Sequence, residues 1–406
     1  MDGIVIQRSA LTLAEFTRRA AQSDRFTKDP DALLKLRFGY FGEIGGLLAA
    51  LKKVSRDELL ETETQFAAEE IGDALWYLAA IAKLGSVSPT ELGEGCLQDL
   101  RKRFCEASKH VVDEVTFRQI DALVGTQNTD SRPSRTELLG ELAATAGVLA
   151  QDGRPQKEFQ EEHSRGARLG VLLALLAMTA ASFGIQLESI ANANLAKIKD
   201  RWPGDDERVY VPFFDDGPQY PPYERFERRF SVKFEQRQHG ARPHVVQSIA
   251  GVFVGDRLTD NSVEPDGYRF HDVFHLAYVA HLGWSPVVRG LLKRKRKSDP
   301  VVDENQDGAR AMIIEEGIAT WIFNHAKSRK LYAEVEEGKL EYGLLKQIRS
   351  MVEGYEVDAC PLWQWERAVL DGFRVFRDLL SAEGGLVHVD MNQHTILFEP
   401  LLPEAT

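Results

Sequence analysis

Apolar residues recur at three- and four-residue steps through most of the first half of the chain, the period of amphipathic helices rather than strands. The pattern predicts a helix over residues 11–24 and another over 38–53, FGYFGEIGGLLAALKK. Residues 54–57, VSRD, read as a short polar break. A third helix is expected over 66–84, FAAEEIGDALWYLAAIAKL, with its acidic residues in the first turns, where the helix dipole favours them. Ser88-Pro89-Thr90-Glu91 has the form of a helix start, with proline just inside it, and that helix is expected to reach about residue 108. Turn formers at 124–135, VGTQNTDSRPSR, then interrupt the pattern. It resumes over 136–150, 167–183 and 187–202, around a polar loop at 152–165.

The resumption is an internal repeat. Gly42-Glu43-Ile44 matches Gly140-Glu141-Leu142, Glu70-Ile71-Gly72-Asp73 matches Arg168-Leu169-Gly170-Val171, and Arg103-Phe104 matches Arg201-Trp202, all at one offset. Residues 1–30 therefore read as an N-terminal helical segment, 31–110 as a helical unit, 111–135 as a linker and 136–203 as a second copy that has lost most of its acidic residues. A Pro- and aromatic-rich stretch, 204–245, reads as an extended connector with a strand around 229–234. Residues 246–406 form a third region, with a strand at 251–255 and helices near 268–282, 285–297, 305–327, 341–353 and 361–382. It closes on LVHVDMNQHTILF, which alternates around a turn as a β-hairpin does. The expected fold class is mostly α: a duplicated helical bundle followed by a mainly helical α+β domain with a terminal β-hairpin.

The net charge of −12 disfavours a nucleic-acid backbone as partner but suits a nucleotide whose phosphates are bridged to carboxylates by a metal ion. The basic run 293–297, KRKRK, departs locally from this balance. It reads either as a solvated helix end or loop, or as a contact for phosphate or a nucleic-acid end. Three cysteines, Cys96, Cys105 and Cys360, match no zinc spacing and no disulfide framework. No signal layout opens the chain, and no apolar run is expected to cross a bilayer, so cytoplasm is the expected location and no membrane partner is expected.

The chemistry concentrates in the first copy. Glu70 and Asp73 stand three apart on a helix and so project from one face, with Glu69 a little over a quarter-turn away. Glu43 lies on the preceding helix, and a short antiparallel connection would bring Glu43, Glu70 and Asp73 together. Acidic pairs at this spacing are common on solvated helix faces. These, however, adjoin Ile71, Ala74, Leu75 and Trp76, and Glu43 sits inside GYFGEIGGLL, where an isolated charge needs a partner or a metal. Magnesium, a hard ion that takes oxygen ligands and holds phosphates, is the natural companion.

Gly42-Glu43-Ile44-Gly45-Gly46 followed by Glu69-Glu70-Ile71-Gly72-Asp73-Ala74-Leu75-Trp76-Tyr77 resembles the MazG-like nucleoside triphosphate pyrophosphohydrolases, whose helices carry Gly-Glu-x-Gly-Glu and Glu-Glu-x-x-Asp with an aromatic tail. The family's next helix tends to show Asn-Leu-x-Lys and a closing Arg, and the second copy has Asn194-Leu195-Ala196-Lys197 and Arg201. The resemblance covers roughly residues 31–203. It implies an all-α bundle and hydrolysis of a nucleoside triphosphate to monophosphate and pyrophosphate. Glu43, Glu70 and Asp73 would hold Mg2+ (or Mn2+), and one of Glu43, Glu69 or Glu70 would act as general base. Lys52, Lys53, Asn194, Lys197 and Arg201 would bind the nucleotide substrate. In the family such units pair, often by dimerisation, so a homodimer is expected unless the two copies pair within one chain as a composite site. One departure stands out: the family's second glutamate is Gly46 here, and its loss would reduce the number of metals or abolish hydrolysis. A nucleotide sensor controlling the C-terminal domain is therefore the alternative.

A second cluster lies in the third region. His271 and His275 are four apart and would face one way on a helix, with Asp272 between them and Glu315-Glu316 on a later apolar helix. They form a candidate transition-metal or magnesium site, or else hydrogen-bonded core histidines with paired glutamates. A further alternative makes this cluster the main active site and the first half a scaffold.

Overall fold

The structure, a computed structural model, describes residues 9–24, 26, 29–57, 63–105, 114–125, 133–151, 162–240 and 242–401. It divides into two compact units, Met1–Asp206 and Glu207–Thr406. Mostly helical architecture with a small antiparallel sheet in the second unit agrees with the expected fold class.

The first unit is built from α1 (Leu13–Ala20), α2 (Ala32–Asp57), α3 (Glu63–Leu84), α4 (Pro89–Phe104), α5 (Phe117–Gly125), α6 (Arg135–Gln151), α7 (Glu162–Ser182) and α8 (Leu187–Arg201). Local chemistry accounts for several boundaries. Ser88 caps α4 through a reciprocal capping box with Glu91, and Pro89 takes a first-turn position where its missing N–H costs nothing. The 54–57 segment expected as a break lies inside α2, whose helix outlasts its apolar pattern. The 111–135 segment expected as a linker contains α5, and Thr116 bridges to Thr12 at its start. Residues 126–132 of that linker and 152–161 of the expected loop lie outside the described residues.

The repeat is expressed as a pseudo-symmetric exchange of helices. α3 packs on α2 and α7 on α6 within each copy, but α4 of the first copy packs on α7 of the second, and α8 of the second packs on α3 of the first. Glycines set these crossings. A Cβ on Gly170 would lie 2.4 Å from the carbonyl carbon of Gly95, so α4 and α7 touch backbone to backbone. The matching contact in the other pair, Gly72 against the side chains of Asn194 and Ile190, would place a Cβ at 3.4 Å, ordinary packing distance. α7 is also the one described helix long and apolar enough to span a bilayer, contrary to the sequence expectation. Two-thirds of that stretch is buried in the bundle core, with Leu172, Leu173, Leu175 and Leu176 almost fully covered.

The second unit contains β1 (Arg229–His239), β2 (Arg242–Ile249), β3 (Val252–Leu258), α9 (Asp272–Leu282), α10 (Pro286–Leu291), α11 (Pro300–Asn305), α12 (Ala309–Lys327), α13 (Tyr342–Met351), α14 (Leu362–Ala382), β4 (Gly384–Asp390) and β5 (Thr395–Glu399). The strands form one antiparallel sheet in the order β3-β2-β1-β4-β5. The terminal hairpin pairs Asp390 with Thr395, and β4 joins β1 with Val232 opposite Val387. Thus the stretch expected as a connector supplies one full strand and part of a second. Val232 and Phe234 alternate inward along β1 and meet the core of α9 and α14.

The basic run is split: Lys293 and Lys297 are exposed, as in a solvated end, whereas Arg294 and Arg296 turn into the fold. Arg296 is fully buried, bonded to Asp307 at 2.7 Å and Glu356 at 2.6 Å. Arg294 pairs with Glu227 and donates to the carbonyl oxygen of Arg225 at 2.8 Å. Arg289 extends the network to Asp215 at 3.0 Å. These guanidiniums hold loops of the unit together.

Candidate functional site

α2 and α3 lie close because glycine faces the other helix at two positions. At Gly39 a Cβ would fall 2.2 Å from the Tyr77 ring, and at Gly46 it would fall 2.5 Å from the Glu70 carboxylate. The Glu70 carboxylate therefore occupies the space where a longer residue at 46 would begin. Glu43, one turn earlier on α2, shares a hydrogen bond with Glu70.

Burial, the nearby Asp73 charge and the bond to Glu70 push the Glu43 carboxyl up to about 8. Glu70 is also raised, first by burial, and the bond from Glu43 works against that rise. The two form an acid pair in which protonated Glu43 donates to the Glu70 carboxylate, the arrangement expected when like charges meet out of bulk water. The Tyr77 hydroxyl is raised by burial and by the Glu43 and Asp73 carboxylates.

Asp73 is held differently. α8 brings Lys197, whose ammonium donates to both Asp73 oxygens at 2.8 and 2.6 Å and lies 3.6 Å from Glu69. Asn194, one turn earlier on α8 and buried, donates to Asp73 Oδ1 at 3.1 Å. Its own Oδ1 is buried with no hydrogen-bond partner among the described residues. Copy one thus contributes the acids, and copy two the cation and the amide. Among the described residues, Glu43, Glu70 and Asp73 do not bring one oxygen each to within 4.8 Å of one another; Lys197 on Asp73 divides the cluster.

The other expected site residues fall as follows. Arg201 is buried, its guanidinium 5.1 Å above the Trp202 ring. Lys52 is exposed on α2, and the Lys53 side chain lies outside the described residues. In the second copy Glu141, counterpart of Glu43, is bonded bidentately to Arg103 at 3.0 and 2.6 Å, and Arg103 also reaches Asp99 at 2.5 Å. Where that copy replaces Gly46, Glu70 and Asp73 by Ala144, Arg168 and Val171, these residues line a cavity of about 1020 Å3 together with Arg37 and Arg165. The counterpart of the acidic site has therefore lost two of its three acids and gained a guanidinium, in a lining that also holds Asp31.

In the second unit His271 stands at the start of α9 and His275 one turn on, facing one way as their spacing predicts. Glu316 on α12 approaches both, at 3.8 Å from His271 Nε2 and 3.5 Å from His275 Nε2. Glu315 points elsewhere, to His275 Nδ1 at 2.8 Å, while Asp272 accepts from Gln247 at 2.6 Å through one oxygen and brings the other to 3.2 Å from His271 Nε2. Four further histidines have partners of their own: His281 pairs with Asp371, His325 with Tyr332 and Glu341, His388 with Ser231 and Glu399, and His394 stacks on Tyr210.

Residues 209–402 match the family model of the MazG C-terminal domain, which spans nearly all of the second unit and is consistent with a MazG-like family. No curated protein and no solved structure matches the chain. A MazG-family domain suggests a nucleotide pyrophosphohydrolase-like function.

Proposed function

Taking the MazG C-terminal domain at residues 209–402 as premise, we propose that the helical unit ahead of it is a magnesium-dependent nucleotide pyrophosphohydrolase with one composite site. It would cleave a nucleoside triphosphate to monophosphate and pyrophosphate. The observation that carries the reading is the pairing of Lys197 and Asn194 of the second copy with Asp73 of the first, beside the proton-sharing Glu43–Glu70 pair. Five side chains of this chemistry, drawn from separate halves of a duplication, are not needed to hold a bundle together.

The donor set fits a hard divalent cation: Glu43, Glu70 and Asp73 offer oxygens alone, and the proton between Glu43 and Glu70 marks a place where positive charge is required. Bound there, Mg2+ (or Mn2+) would offset phosphate charge and polarise water. Glu43 and Glu70 would give up their shared proton on loading. Lys197 would release Asp73 and turn to a phosphate oxygen, a short swing for a flexible four-carbon stem. Asn194 Oδ1 would accept from a sugar hydroxyl or base amino group. Glu69, at the mouth of the cluster, or one of the pair would take the proton of the attacking water.

The test is pyrophosphate release from a nucleotide panel by the full-length protein with magnesium, compared with Asp73→Asn. Release that persists unchanged in Asp73→Asn rules the site out.

A second reading is supported by Gly46. Where the family carries a further glutamate, the Glu70 carboxylate fills the space, so the bundle has fewer acidic ligands and would serve as a nucleotide sensor for the second unit. Gly46→Glu separates the two: hydrolysis that jumps from near zero supports the sensor.

A further inference from the structure

We infer that the second unit carries its own divalent transition-metal centre, ligated by His271 Nε2, His275 Nε2 and a Glu316 carboxylate oxygen. This inference is independent of the nucleotide site. Its first support is convergence: one ligand atom from each of the three lies within 4.8 Å of the others, and among the described residues no other trio of His, Cys, Asp or Glu does so. Bonds of about 2.0–2.2 Å to a tetrahedral ion place ligand atoms roughly 3.4 Å apart. The observed 3.5 and 3.8 Å from Glu316 to the two imidazoles lie near that spacing.

The second support is how the imidazoles are aimed. His271 Nδ1 faces the carbonyl oxygen of Tyr268 at 2.9 Å, and His275 Nδ1 faces Glu315 Oε1 at 2.8 Å. Both neighbours only accept, so in the neutral rings each Nδ1 carries the proton and each Nε2 presents its lone pair to the other side. Glu315 is fixed for this role, being fully buried and taking bonds from Ser285 Oγ at 2.6 Å and the Val287 N–H at 2.8 Å. Tyr268 stacks on the His271 ring at 4.2 Å and sets its plane. A buried carboxylate orienting one histidine and a backbone carbonyl orienting the next is the supporting shell that metal-binding imidazoles use.

The third support is an orphan. His275 is fully buried, and its Nε2 has no hydrogen-bond partner among the described residues, although Glu316 lies 3.5 Å away. A fully buried ring nitrogen that faces a carboxylate at 3.5 Å, beyond good hydrogen-bond geometry, and is aimed at a further imidazole has the placement of a metal ligand. Two imidazoles and one carboxylate select zinc, iron or a neighbouring ion over magnesium. Three protein ligands leave a coordination position for water or a substrate oxygen, and the side chain of Glu316, 43% exposed, marks the side from which solvent reaches it.

The experiment is metal analysis of the full-length protein, purified without a metal-affinity step, stripped with chelator, then dialysed against zinc or cobalt(II) with excess magnesium present. About one ion per chain is expected in the wild type and in Asp73→Asn, and His271→Asn and Glu316→Gln should each weaken binding by at least about tenfold. Glu316 is accessible, so Glu316→Gln decides the matter should His271→Asn fail to fold. Wild-type protein that retains well under a tenth of an ion per chain, or a Glu316→Gln variant that binds as tightly as wild type, overturns the proposal.

Discussion

Lys197 and Asp73 lie 124 positions apart in the chain, in different copies of the repeat, yet the ammonium reaches both oxygens of the carboxylate at 2.8 and 2.6 Å. The pair is partly exposed, so its direct worth to folding is small. Its significance is that it ties the acid-bearing copy to the cation-bearing one. Lys197→Met is expected to leave the fold intact and to reduce pyrophosphate release by about 10²–10³-fold, the range for losing one electrostatic donor to a transition state. Magnesium should bind at least as tightly as in the wild type, because a competing cation has gone. Calorimetric titration with magnesium alongside the rate assay checks both halves.

The Glu43–Glu70 pair fixes the sign of a pH effect. Burial and neighbouring carboxylates raise Glu43 in the fold from the ordinary 4.5 to about 8. Below 4.5 the side chain is protonated whether folded or not, and its contribution to stability is complete. Between 4.5 and 8 the unfolded chain ionises first, so stability is lost as pH rises through that window. Metal-free protein should accordingly melt at lower temperature at pH 8 than at pH 6. Added magnesium should raise the melting temperature more at pH 8, where it no longer competes with the shared proton. Melts at both pH values with and without magnesium, with Glu43→Gln as control, test this; a magnesium effect that is larger at pH 6 contradicts it.

Two glycines at equivalent crossings should respond differently. Gly170→Ala forces a Cβ to within 2.4 Å of the Gly95 backbone and must pry α4 from α7, at a cost of about 1–3 kcal/mol or more. Gly72→Ala meets its neighbours at 3.4 Å, and the gain in helix propensity of roughly 1 kcal/mol offsets the crowding. Urea unfolding of the two variants should separate them clearly.

In the second unit, Arg296 anchors Asp307 and Glu356 from a fully buried position. Arg296→Met strands two carboxylates and is expected to destabilise by roughly 3–5 kcal/mol. Arg294→Met, at a partly exposed pair, should cost about 1 kcal/mol or less. Thermal melts of both variants provide the comparison.

Much of this was legible from residue order. The helices of both copies follow the three- and four-residue apolar period, and Ser88-Pro89-Thr90-Glu91 announces α4 because capping is local chemistry. The terminal hairpin is equally local. The pairing of β1 with β4 joins segments about 150 residues apart and leaves no local trace, so the sequence shows only a short strand around 229–234 within a connector where the fold has all of β1 and the start of β2. The 293–297 run illustrates the same limit: charge type predicts solvent or phosphate, and only the fold reveals the carboxylates that bury Arg296. Around the sites, identity and spacing bring Glu43, Glu70 and Asp73 into view, and likewise His271, His275 and Glu316. They do not reveal that Lys197 lies on Asp73, or that adjacent Glu315 and Glu316 divide their work. Those facts depend on the rotation of one helix about its axis relative to another.

The exchange of α4 and α8 between the two copies has a consequence for how activity should scale. A cleft assembled from two separate polypeptides falls apart on dilution, with half of its groups on each fragment. Here a covalent tether keeps both halves at a high effective concentration, so turnover per chain should stay constant down to the most dilute samples an assay can detect.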